Sequence, residues 1–405
     1  MLSKLLSDPR PRHAAFFSQP LKSLPEFRPP FGATLLLGAA LFVLASPVKA
    51  EGPALTPPKF LGELSCSSSS CHGGAGEKRS QFITWSRRDF HTRSYATLTT
   101  ARSARIAESL KISAPTQSAR CTVCHAPFQT ALPAQLAADV DFTKGVSCET
   151  CHGPAENWLR SHTRPDWTHQ DRVHAGMRDL QDLYVRANNC VACHQNVEAD
   201  LLRAGHPELI FELDGQSVTE PKHWHELAGW SGAQTWLVGQ AAALREMSWQ
   251  LTREKSPTES MTQRWAALLW LLQQTASSPA APIDPTPDNL SFTQKWADQL
   301  ARETAATPWT PESTRKYLTT LAGTAESFRA KSSSQPIQAR RAERLALALD
   351  RLVTSLNDKQ TANRLDPFLN KLFKDAQSLP DFNPNQFAAH LEEFAKCLPV
   401  SLAVK

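Results

Sequence analysis

The chain has 405 residues, 41% hydrophobic and 20% charged, a balance that suits folded domains with a buried core and excludes a disordered or fibrous polymer. Its formal charge of +5 comes mostly from residues 1–50, which hold six Lys/Arg against two Asp/Glu and leave 38 basic against 37 acidic residues for the rest. With no basic run, the charge gives no reason to expect nucleic acid as a partner. Eight of the nine cysteines and twelve of the thirteen histidines precede residue 226, so the chemistry belongs to the first half of a chain long enough for two domains.

At the N-terminus, Lys4, Arg10, Arg12, Lys22 and Arg28 precede the apolar run Gly32–Ala45, and Val48-Lys49-Ala50 stands before Glu51. This pattern predicts a signal peptide over residues 1–50, cleaved after Ala50, and hence a periplasmic protein. The run is shorter than the ~20 residues of an ordinary membrane span; membrane association is not required, an uncleaved anchor being the alternative. The long basic region leaves room for a translation start further downstream.

Three stretches then repeat one pattern: Cys121-Thr-Val-Cys124-His125, Cys148-Glu-Thr-Cys151-His152 and Cys190-Val-Ala-Cys193-His194. Random placement would give roughly 0.006 such stretches in this chain. Two thiols at this spacing can form thioethers to the two vinyl groups of one haem, with the adjacent histidine beneath the ring as iron ligand. A fourth stretch, Cys66-Ser-Ser-Ser-Ser-Cys71-His72, reaches the same end if its serine loop bulges outward. Zinc is the competing reading of paired Cys and His, but zinc gives no reason for the Cys-His adjacency to recur. The expectation is four covalent haem c groups, with His72, His125, His152 and His194 as proximal ligands. They use eight cysteines and leave Cys397, expected as a small core residue.

The second axial position of each iron separates carriers from catalysts. Outside the motifs, the candidates are His91, His162, His169, His174, His206, His223 and His225, with Met177 the single methionine of the region.

Three stretches resemble the tetrahaem cytochrome c-554 family. One is Cys71-His72 with Trp85-Ser86 and His91 ahead of Ser94–Thr99; the next is Gly145-Val-Ser-Cys148-Glu-Thr-Cys151-His152-Gly-Pro154 with His162 beyond it; the last is Cys190–His194 followed by Ala204-Gly-His206-Pro-Glu208. The resemblance covers roughly residues 58–225. It implies His162 opposite His72, His91 opposite His152, no protein ligand opposite His125, and a later histidine opposite His194. For that last place His206 is favoured, then His223 or His225. In that family the known member carries electrons away from hydroxylamine oxidoreductase. This chain departs from it in the wider first motif and in some 180 further residues.

Residues 226–405 show helical apolar spacing. Trp230, Leu237, Leu244, Met247 and Leu251 form one set; Met261, Trp265, Leu268, Leu269 and Leu272 another; Leu345, Leu349, Leu352, Val353 and Leu356 a third. Four prolines mark Ser277–Asn289 as a linker, and Thr310-Pro311 reads as a helix start. The predicted fold is mainly α: a loop-rich multihaem domain with short helices over 51–225, then an all-α bundle of about six helices over 226–405. The expected function is electron transfer between redox partner proteins rather than catalysis. The alternatives are a haem-based reductase of a small nitrogen oxide or hydroxylamine, acting at an open His125 haem, and a docking subunit of a larger haem complex.

Overall fold

The computed structural model describes residues 57–275, 284–330, 333–377 and 381–398; the expected signal peptide and the first part of the predicted linker lie outside them. Among the described residues the chain is helical, and its one extended pairing is the isolated bridge of Phe60 with Leu136. The first half consists of short helices joined by turns: α1 (Gln81–Arg88), α2 (Ala101–Ser109), α3 (Ala119–His125), α4 (Cys148–His152), α5 (Leu183–His194) and α6 (Leu213–Thr219). Longer helices follow: α7 (Gly232–Arg253), α8 (Glu259–Thr275), α9 (Pro287–Ala306), α10 (Pro311–Ala322), α11 (Gln335–Ser355), α12 (Lys359–Ala376) and α13 (Pro384–Lys396). No helix of the described residues is long and apolar enough to cross a membrane.

Local chemistry explains where these helices begin. The hydroxyl of Thr310 accepts from the N–H of Ser313 and Pro311 takes the first helical position, where a missing N–H costs nothing. Thr286 and Pro287 do the same for α9, so that helix starts inside the stretch predicted as linker. The proline that reads as a breaker in sequence is here a starter.

The apolar faces meet in one core. Leu237 and Leu244 of α7, Trp265, Leu268, Leu269 and Leu272 of α8, and Leu345, Leu349 and Leu352 of α11 are all buried within it. The core does not stop at residue 225, because Leu183, Ala187 and Val191 of α5, with Phe211 and Leu213, pack into the same cluster. Helix α7 is its axis, touching α5, α6, α8, α9 and α11. Gly239 of α7 permits the approach of α6, since a Cβ there would lie 2.7 Å from the Cβ of Leu213.

A polar cluster joins α5 to the bundle. Asp298 of α9 accepts from the Tyr184 hydroxyl (2.7 Å), Arg245 (2.8 Å) and Arg302 (2.8 Å). Burial works against its charge, but these three donors outweigh burial and hold the carboxyl at about 2, below the ordinary 3.8. A depressed acid stabilises fully above its ordinary value and loses that contribution as pH falls through the folded value. Asp298→Asn is therefore expected to lower stability by about 1 kcal/mol near neutrality, allowing for solvent around a partly exposed cluster. In urea unfolding across pH, the gap between wild type and variant should shrink below about pH 4; a gap independent of pH would show that the carboxylate's charge contributes nothing. Gly239→Ala is expected to cost about 1–3 kcal/mol by forcing α6 off α7, which the same assay reads.

Candidate metal centres

Three of the four motifs lie on helices: α3 ends at His125, α4 spans Cys148–His152 and α5 ends at His194. Helical spacing puts the two cysteines of each, three residues apart, on one face with the histidine one residue further. The first motif in chain order, Cys66–His72, has no helix between its cysteines and closes as a turn instead. The N–H of Cys71 and of Gly73 both donate to Ser68 O at 2.9 Å, and the N–H of His72 returns to Cys66 O at 3.3 Å. The two glycines after it are required by that turn, because a Cβ on Gly73 would lie 1.8 Å from Ser67 O and one on Gly74 2.3 Å from Ser69 O.

Buried polar contacts bind the motifs to one another. Glu149, inside the third motif and 1% exposed, accepts from the N–H of Leu61, Gly62 and Ala155 at 2.7–3.0 Å. Gly145, at φ 66°, has no room for a side chain: a Cβ would sit 2.7 Å from His91 O. The N–H of Val146 then donates to that same carbonyl at 3.1 Å. Arg178 donates to the carbonyls of Thr150 (2.6 Å) and Cys151 (2.8 Å) and to Asn189 of α5, tying the third motif to the fourth. The side chains of Cys66 and Cys148 lie next to each other, as do those of Cys193 and Cys124.

Three imidazole pairs follow from this packing. His72 and His162 have ring centres 6.0 Å apart with planes at 21°; His91 and His194 are 5.9 Å apart at 90°; His152 and His223 are 6.4 Å apart at 67°. A metal–imidazole bond is about 2 Å and a five-membered ring's centre lies about 1.2 Å behind its nitrogen, so two rings on opposite sides of one metal have centres about 6.3 Å apart. All three spacings fit an iron held between two imidazoles, and an imidazole is free to rotate about such a bond, so the range of angles fits as well.

His162 thus faces His72, but His91 does not face His152. His223 stands there, and His91 faces His194, where His206 was favoured. The backbone of His91 is bonded at the start of the third motif, but its ring is turned by the carboxylates of Asp89 (3.0 Å) and Glu220 (3.4 Å) at Nδ1. His206 sits in a turn with Nδ1 3.1 Å from Pro207 O. His225 is largely exposed beside Glu77, His169 lies against Asp179, and His174 ends the one-turn helix His169–His174.

An imidazole that ligates through Nε2 carries its proton on Nδ1, and a partner there fixes the ring. His162 Nδ1 has Leu159 O at 2.7 Å, His72 has Gln81 Oε1 at 3.0 Å, His125 has Ser94 O at 3.0 Å, and His223 has Pro221 O at 3.4 Å. His194 meets the Gln216 amide at 3.3 Å, and turning that amide would let its otherwise unpartnered buried oxygen accept the Nδ1 proton. Burial first, then the charges of His223 and Arg178, hold His152 down to about 4, so it is neutral and its nitrogen lone pair is available. His91 differs: burial opposes its charge, yet Glu220 and Asp89 raise it well above the usual range. Gln81, Asp89, Gln216 and Glu220 carry no motif, and sequence reasoning missed them. A cavity lined in part by Lys78, Gln81, Lys222 and His223 opens beside the His72 and His152 pairs, with two ammonium groups that ionised propionates could meet.

Residues 65–153 match the family described as cytochrome c554 and c-prime. The match holds the first three motifs and His91, and it ends before His162, the fourth motif and His223. No curated protein and no solved structure gives a significant match. With its recurring Cys-Cys-His stretches and that match, the chain is a c-type cytochrome resembling the c554 family, a haem c protein involved in electron transfer.

Proposed function

We propose that the chain is an exported, periplasmic tetrahaem cytochrome that passes single electrons between two redox partner proteins. Residues 1–50 are its leader, 51–225 its haem domain and 226–405 a helical domain. Cys66 and Cys71, Cys121 and Cys124, Cys148 and Cys151, and Cys190 and Cys193 each anchor one haem c. His72, His125, His152 and His194 are the proximal ligands, and His162, His223 and His91 close the first, third and fourth irons. The observation that carries this reading is the set of three imidazole pairs at metal-bridging distance, each built on a motif histidine.

When bound, haem supplies a one-electron iron couple. The protein's residues orient it and hold the charge that surrounds it. The Cys66–Cys148 and Cys124–Cys193 contacts set the first motif against the third and the second against the fourth. Arg178, bonded to Thr150 and Cys151 on one side and Asn189 on the other, makes the third and fourth neighbours too. Such a row suits transfer over short gaps without bond chemistry.

Pyridine-haemochrome quantification with low-temperature EPR of the oxidised, haem-matured protein tests this. Four haems per chain are expected, at least three of them low-spin. The 21° pair should give an ordinary rhombic signal, and the 90° and 67° pairs strongly anisotropic ones, because crossed imidazole planes leave the iron dπ orbitals nearly degenerate. Zinc in place of haem, or fewer than three low-spin centres, would overturn it. His162→Ala should leave haem content unchanged and turn the rhombic low-spin signal high-spin.

A further inference from the structure

Of the six paired imidazoles, His72, His162, His194 and His223 meet a carbonyl or amide at Nδ1, whereas His91 meets carboxylates. His91 Nδ1 lies 3.0 Å from Asp89 Oδ1 and 3.4 Å from Glu220 Oε1. Asp89 is also a local structural group, accepting the N–H of His91 itself at 2.8 Å. Glu220 comes from elsewhere: it follows α6, its N–H donating to Gln216 O at 3.0 Å.

The segment that carries Glu220 is held by the bundle. Gln240 of α7 donates to Phe211 O at 2.8 Å, and Arg264 of α8 donates to Leu209 O. Arg344 and Arg351 of α11 lie 3.6 Å from Glu212 and 3.9 Å from Asp214. Leu213, fully buried, fills the space that Gly239 leaves open.

An anion on the Nδ1 proton of a ligating histidine raises the ring's basicity towards the metal and favours the more positive oxidation state. We propose that Glu220, backed by Asp89, is a positioning residue that lowers the potential of the haem held by His91 and His194, and that the helical half sets this potential by seating the segment that carries it. The proposal rests on the ligand pairs given under Proposed function. The couple concerned is the gain of one electron by ferric iron, with no bond made or broken. The same three groups lie close enough to hold a cation; the hydrogen-bonded arrangement needs none.

The test is spectroelectrochemical titration of the intact holoprotein beside Glu220→Gln, which keeps an acceptor and removes the charge. The expected result is that one haem rises by at least tenfold in its reduction equilibrium, about 59 mV for one electron, while the other haems keep their potentials and all haem is retained. Asp89→Asn should move the same haem in the same direction. Unchanged potentials in both variants, an equal shift of all haems, or a wild-type potential that moves when a chelator is added would overturn the proposal. His91→Ala separates this from the underlying reading: a new high-spin iron there with no shift in Glu220→Gln defeats only the role of Glu220, whereas no change of spin state shows that His91 is not a ligand and defeats both.

Discussion

The rest of the structure depends on imidazole rings meeting in pairs about 6 Å apart, each pair joining segments remote in sequence. The stretch from Phe60 to Asp182 has few large buried apolar side chains, chiefly Phe60, Trp85, Leu98, Ile106, Phe128, Val146 and Trp158. Such a segment lacks the continuous core that stabilises the bundle. Cross-links through a metal shorten the loops of the unfolded chain and add their own binding free energy to folding. On the proposed ligand set, folding of this half would be coupled to loading it with haem, the short helices serving as holders for Cys and His rather than as independent packing units.

Backbone chemistry supports those holders where apolar burial does not. Glu149 gathers three N–H groups that would otherwise be buried without acceptors, each worth about 1–3 kcal/mol if left so. Arg178 gathers two carbonyls and Asn189. Trp85 adds its indole N–H to Val146 O at 3.1 Å. Arg178 links two motifs and the others tie a motif or its flank to a remote segment, so the motif spacing in space is set in part by directional bonds, which tolerate less sliding than an apolar surface does.

How much of this could be read from the sequence follows the range of each interaction. The Cys-Cys-His stretches are local and were legible in the sequence itself, as was the c-type cytochrome reading they led to. So were the apolar faces of α7, α8 and α11 and the Thr310-Pro311 start, because helical periodicity and capping act within a few residues. Pro287 misled because a proline ends or begins a helix according to its neighbours. The partners of the motif histidines are long-range, and order along the chain does not reveal them: His91 passes His72, His125 and His152, all nearer in sequence, for His194. The roles of Gln216 and Glu220 were invisible for the same reason, as each is an ordinary polar residue until α6 is set in place. The extension of one core across residue 225 was likewise hidden, since Leu183, Ala187 and Val191 mark a helix without saying which helix receives it.

The seat of α6 explains why polar groups are used there at all. Burial pushes Glu212 up to about 8 and Asp214 to about 6, and one carboxyl oxygen of each has no hydrogen-bond partner among the described residues. An apolar seat would be more stable on these terms, since unpaired buried polar groups are costly. It would also be indifferent to register. A rotation or slide of α6 by one residue would carry Gln216 from His194, Glu220 from His91 and His223 from His152 in a single movement, whereas Leu213 could find another apolar contact. The amide of Gln240 on Phe211 O, with Arg344 and Arg351 beside Glu212 and Asp214, favours the observed placement. Specificity of position is what buried polar contacts supply at the expense of stability, and here one short helix positions groups at three motif-centred imidazole pairs' worth of chemistry less one: two pairs directly, through His223 and through Gln216 with Glu220, leaving the His72 pair to the turn of the first motif.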